Sequence, residues 1–117
     1  MMTNNQDSLV QMFEKQKEFQ KLLTGIELPK KDYTQLNYTM TALIAELGEV
    51  LQADKNWKNW KRTKDANVDR EALLDEVVDV YHFIINMTLY LGFDANDVIN
   101  KFFEKNKINF ERQNNNY

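Results

Sequence analysis

Glu46-Leu47-Gly48-Glu49 and Glu76-Val77-Val78-Asp79 each place two carboxylates three residues apart. On a helix that spacing puts both acids on one face. Ala42 and Ala53 extend the stripe of Glu46 and Glu49, and such small neighbours leave room for something to approach. Around the second motif, Glu76, Asp79, Phe83 and Asn86 share a narrow stripe on an otherwise apolar cylinder. Carboxylates facing one another repel, which raises their pKa values unless a cation neutralises them. An oxygen-only donor set suits Mg²⁺, or Mn²⁺ in its place, and not Zn²⁺. Mg²⁺ takes one or two carboxylates, keeps waters and completes its shell with phosphate oxygens. The chemistry such motifs point to is hydrolysis within a polyphosphate, where metal ions activate a water and stabilise the leaving pyrophosphate. A solvated helix face explains one acidic pair equally well, and Glu71 and Asp75 are read that way. Two pairs, one interrupting a nearly continuous apolar run, bring the metal reading level with the solvated face.

Further residues suit an anionic, ring-bearing ligand. Lys101, Lys105, Asn109 and Arg112 recur at helical spacing and form one cationic and amide stripe suited to phosphate oxygens. A soluble helix with scattered charge is the competing reading. Lys58, Lys61 and Arg62 flank Trp57 and Trp60. That stretch suits a loop covering a base and its phosphates, and it suits core or interface packing equally well. The lone histidine, His82, lies three residues after Asp79. A di-iron carboxylate bundle needs Glu-x-x-His on two helices and is set aside. For His82, a partly buried structural role stands beside a role lining a nucleotide pocket.

The elements that must position these groups are helices. The chain has only three glycines and one proline, too few punctuators for a many-turned β fold. The apolar periodicity predicts a first helix over Ser8 to Thr24, with Leu9, Met12, Phe13, Phe19 and Leu23 as its apolar positions and Gly25 as its stop. A second helix is expected over Tyr33 to Lys55, and a Trp- and Lys-rich segment over Asn56 to Thr63. A third helix starts at Asp69, a natural cap, and runs to Leu91 before Gly92. The fourth begins near Asp94 and continues past Arg112. The third helix is apolar around most of its circumference, which implies burial on several sides; in so short a chain a subunit interface supplies part of that cover, with the central helix of a monomeric bundle as the alternative. The expected fold is all-α: one domain over residues 1–117, an antiparallel bundle of about four helices, assembling as a homodimer or larger oligomer.

Composition narrows the partners. Net charge is −3, which argues against nucleic acid as the main partner. No cysteine is present, so thiolate metal sites and disulfides are excluded. No signal peptide is evident and no apolar run approaches a membrane span. The expectation is a cytoplasmic protein with neither a membrane nor a nucleic-acid partner.

Taken in order, these residues resemble a family. Glu46-x-x-Glu49 followed by Glu76-x-x-Asp79 is similar to the metal motif of the all-α NTP pyrophosphatases, the superfamily of the MazG-like proteins and the dimeric dUTPases. Trp57-Lys58-Asn59-Trp60-Lys61, Asp79-Val80-Tyr81-His82-Phe83 and the stretch from Lys105 to Tyr117 resemble elements of the dUTPase branch, as does Gln16 in the first helix. Three features depart from that pattern: Gln20 where a shorter Asn is common, Asn116 where the signature has Gly, and no helical insertion before the last helix. The resemblance implies hydrolysis of dUTP, and of dUDP, to dUMP. It implies Mg²⁺ held by Glu46, Glu49, Glu76 and Asp79, with Glu49 activating the water. Lys58, Lys61, Lys105, Asn109 and Arg112 would hold phosphates or close the site. Gln16, Gln20, Trp60, His82, Phe83 and Asn86 would shape the base pocket. A MazG-like enzyme for dCTP or another nucleotide, and a non-catalytic helical binding protein, are the alternatives.

Overall fold

The computed structural model describes residues 5–65 and 67–115, with side chains from Ser8 onward. Asn116 and Tyr117, the end of the C-terminal signature, lie outside the described residues. Four helices make up the fold: α1 (Asn5–Thr24), α2 (Tyr33–Asp54), α3 (Arg70–Tyr90) and α4 (Ala95–Asn114). Three begin on an aspartate. The side chains of Asp32, Asp69 and Asp94 accept backbone N–H groups of the first turn that lack a partner within the helix. Asp97 reaches back to the Asp94 N–H and completes a capping box. Gly25 and Gly92 end α1 and α3 at positive φ, 76° and 90°, where a side chain would be strained.

α2 and α3 form an antiparallel hairpin. Gln16 meets Asn86 and Gln20 meets Tyr90, so α1 lies along α3 in the same direction. The connection from α1 to α2 is fastened to the end of α3. The N–H groups of Lys30 and Asp32 donate to the carbonyls of Leu89 and Tyr90, each at 3.0 Å, which satisfies acceptors left over at a helix C-terminus. The core gathers there: Phe13, Leu28, Leu36, Ile85, Leu89, Tyr90 and Ala95.

The fourth helix departs from a closed bundle. Among the described residues α1 is the one helix that α4 pairs with; Ala95 and Val98 near its start join the core, and Lys17 and Asp94 form an ion pair at 2.6 Å. From Asn100 onward every described residue is exposed. The radius of gyration is 17.7 Å, against about 13 Å for a compact chain of this length. α2 and α3 turn a second apolar face outward, carrying Met40, Ile44, Leu47 and Leu51 with Leu74 and Tyr81. The all-round apolar character of α3 is therefore not used up within one chain. No helix of the described residues is long and apolar enough to cross a membrane.

Candidate active site

The α2–α3 hairpin brings the two acidic motifs together. Carboxylate oxygens of Glu46, Glu76 and Asp79 all lie within 4.8 Å of one another, and all three residues are half-buried. The i, i+3 spacing puts Glu76 and Asp79 on one face of α3, and the antiparallel pairing carries Glu46 opposite them. Glu49 stands one turn further along α2, exposed and outside that close group. The electrostatics still register it. Burial, then Asp79, Glu46, Glu49 and Asp75 in that order, push the Glu76 carboxyl above the usual carboxylate range. A cluster with its charges held this close fits a hard divalent cation, and the donors are all oxygens. Glu71 and Asp75 are exposed, as a solvated face requires.

Beside the acids lies a cavity of about 520 Å³, lined by Gln16, Phe19, Gln20 and Leu23 of α1 and by Asp79, His82, Phe83 and Asn86 of α3. Asp79 belongs to both features, so a ligand in the cavity sits against the acid cluster. Gln16, Gln20, His82, Phe83 and Asn86 are thus gathered in one place, as the sequence led us to expect. The amides are not loose. Gln16 Nε2 donates to Asn86 Oδ1 at 2.9 Å, and the Tyr90 hydroxyl donates to Gln20 Oε1 at 2.6 Å. Asn86 is 4% exposed and Tyr90 is fully buried. Burial also pushes the Tyr90 phenol up, which keeps it protonated. His82 is exposed, with Nδ1 3.8 Å from Asp79 Oδ1. Its ring is thus at the cavity wall, beside one of the acids. A larger cleft of about 670 Å³ between α1 and α3 shares Gln16 and His82 but contains no member of the acid cluster.

Phe19 and Leu23 line the cavity and are 51% and 62% exposed, where the periodicity of α1 suggested core. Their signal was their place on the Gln16–Gln20 stripe, at three and four residues. Tyr90 was missed altogether.

Other expected site residues are not brought to the acids. Trp60 is 69% exposed and meets Trp57 edge to face at 5.9 Å. Lys58 sits over the Trp57 ring at 5.4 Å, and Lys61 is exposed. None of the three lines the cavity beside the acids. Their loop is fastened by Asn56, which exchanges two hydrogen bonds with the backbone of Asp65. Lys101, Lys105, Asn109 and Arg112 ride on the projecting part of α4.

The chain matches the model of a family described as dUTPase over residues 8–92. It belongs to this family. The match takes in the acidic motifs and every residue lining the cavity beside them, and it stops before α4. Two curated relatives are both proteins of Enterobacteria phage T4. A dCTP pyrophosphatase is 35% identical over 89 residues, covering 64% of this chain and 52% of the relative. A DNA replication protein is 30% identical over 79 residues, covering 56% of this chain and 20% of the relative. The chain therefore spans about half the length of the first and a fifth of the second. No solved structure matches.

Proposed function

We propose that this member of the dUTPase family is a cytoplasmic nucleoside-triphosphate pyrophosphatase, a single domain over residues 1–117. It hydrolyses dUTP, and dUDP, to dUMP. One observation carries the reading. A half-buried cluster of three carboxylates and a cavity walled by three amides, two phenylalanines and a histidine share Asp79. A deoxynucleotide has the matching division, with a hydrogen-bonding base at one end and a metal-binding polyphosphate at the other.

Glu46, Glu76 and Asp79, joined by Glu49, would hold Mg²⁺, with Mn²⁺ as a substitute. The bound cation supplies charge neutralisation at the phosphates and a more acidic water. Glu49 stands at the edge of the cluster, exposed, where a carboxylate can accept the proton of the attacking water. Phe19, Leu23 and Phe83 wall the base, and Gln16, Gln20 and Asn86 bond its edge. Lys105, Asn109 and Arg112 hold phosphates once α4 is docked against an acid cluster, and Lys58, Lys61 and Trp60 close over the nucleotide. The assembly is a homodimer or larger oligomer, for which the outward apolar face of the hairpin is the support. The T4 dCTP pyrophosphatase favours a second reading, in which chemistry and metal are unchanged and cytosine replaces uracil.

Separating the products formed from dUTP tests the activity. Mg²⁺-dependent formation of dUMP and pyrophosphate, stopped by chelator, is expected. Orthophosphate as the first product from dUTP, or release unaffected by chelator, would contradict it.

A further inference from the structure

The cavity amides are oriented by hydrogen bonds, and that orientation decides what each can offer a base. An amide is a donor at one end and an acceptor at the other. Gln16 spends its Nε2 on Asn86 Oδ1; its own Oε1 then remains to accept, and the Nδ2 of Asn86 remains to donate. Gln20 takes the Tyr90 hydroxyl on Oε1 at 2.6 Å, so its Nε2 remains to donate. Gln16 is bonded to Asn86 on one side, and Gln20 follows it one turn along the same face of α1. The amide ends turned away from these bonds are therefore, for Asn86, Gln16 and Gln20, a donor, an acceptor and a donor.

A 4-oxo pyrimidine presents acceptor, donor, acceptor along its pairing edge: two carbonyls about an N3–H. A 4-amino pyrimidine presents donor, acceptor, acceptor. Placed against these three ends in either direction, the 4-amino group meets an amide N–H, and the unprotonated N3 meets the Gln16 oxygen. The two mismatches leave buried polar groups without partners, the most effective basis for rejecting a close analogue.

Resting on the nucleotide reading above, we propose that Tyr90 is a specificity-positioning residue. Its buried hydroxyl locks the Gln20 amide with Nε2 toward the cavity, and this selects a 4-oxo over a 4-amino pyrimidine. Tyr90 does not line the cavity; it acts through Gln20. Without the hydroxyl, Gln20 can turn its amide over and offer an acceptor to an amino group.

The test is equilibrium binding of dUMP and dCMP by titration calorimetry to the full chain with Mg²⁺, for wild type, Tyr90→Phe and Gln20→Glu. Hydrolysis is not needed, so failure of the pyrophosphatase reading and failure of this one remain distinguishable. Wild type is expected to prefer dUMP. Tyr90→Phe should narrow the dUMP-to-dCMP ratio by about tenfold or more, and Gln20→Glu, which offers only acceptors, should narrow it further or invert it. A merely structural tyrosine would weaken both ligands by the same factor. An unchanged ratio in Tyr90→Phe, a wild type that prefers dCMP, or a Gln20→Glu variant with wild-type selectivity would each overturn the proposal. If Tyr90→Phe does not fold, the Gln20→Glu ratio alone decides.

Discussion

Asn86 separates what the site needs from what the fold needs. It is 4% exposed, and its one described side-chain bond is the acceptance of Gln16 Nε2 at 2.9 Å. Asn86→Leu keeps the branched outline and the number of heavy atoms and removes the amide. Losing that hydrogen bond costs about 1 kcal/mol, because Gln16 is only half-buried and its amide can turn to water. Added apolar burial offsets a similar amount. The net change in stability should stay within about 1 kcal/mol, or about 4 °C in melting temperature for a chain of this size. Nucleotide binding should respond differently. Removing a donor from the base cavity, together with the partner that orients Gln16, costs about 1–3 kcal/mol, a loss of roughly ten- to a hundredfold in dUMP affinity. Thermal melting and calorimetric titration of one preparation measure both. A large fall in melting temperature with dUMP affinity unchanged would refute the reasoning, because Asn86 would then serve the fold.

Mg²⁺ should raise the melting temperature, by about 10 °C at a hundredfold excess over Kd, and Glu46→Ala or Glu76→Ala should abolish the rise. Since the Glu76 carboxyl lies above its ordinary value, metal-free protein should gain stability as pH falls through that raised value, while Mg²⁺ binding weakens over the same range; a pH series with and without metal reads both signs. Asp94 behaves oppositely. Burial alone would push it up, but the Lys17 ammonium and the Ala95 N–H more than offset this and hold it below the ordinary value. Its contribution is present above the ordinary aspartate pKa and lost as pH falls through the lowered one. The pair is partly exposed, so Lys17→Met should remove only about 0.5 kcal/mol of that acid-sensitive stability, seen as a shallower acid-unfolding slope. Ile44→Lys, on the outward apolar face of the hairpin, should convert a species of at least twice 13.9 kDa to monomer in sedimentation; a monomeric wild type would contradict the assembly.

Much of this was legible in the sequence, for stated physical reasons. Helix limits followed the capping aspartates and the glycine stops, because unpartnered backbone groups at helix ends demand those residue types. Three of the four acids could be matched from the sequence because each i, i+3 pair shares a helix face and the hairpin apposes the two faces, whereas Glu49 stands apart. Gln16, Gln20, His82, Phe83 and Asn86 share a cavity because each already shared a helix face. What periodicity could not convey was which apolar residues stay uncovered. Phe19 and Leu23 lie four residues apart, as Leu9 and Phe13 do, yet of the four only Phe13 is buried. The direction of α4 was equally hidden. An amphipathic helix states that it has an apolar side and a cationic side, and nothing in Lys105 or Arg112 says which surface receives them. Tyr90 was overlooked because its role depends on one hydroxyl meeting Gln20 across seventy residues of chain.

Pyrophosphate release from each of the common deoxynucleoside triphosphates, with Mg²⁺ and with chelator, for wild type and Glu49→Ala, tests the central claim most directly. Metal-dependent release, selective for dUTP in the wild type and lost in Glu49→Ala, is expected. Absence of release from every nucleotide by folded, Mg²⁺-loaded wild type, or full activity in Glu49→Ala, would contradict it.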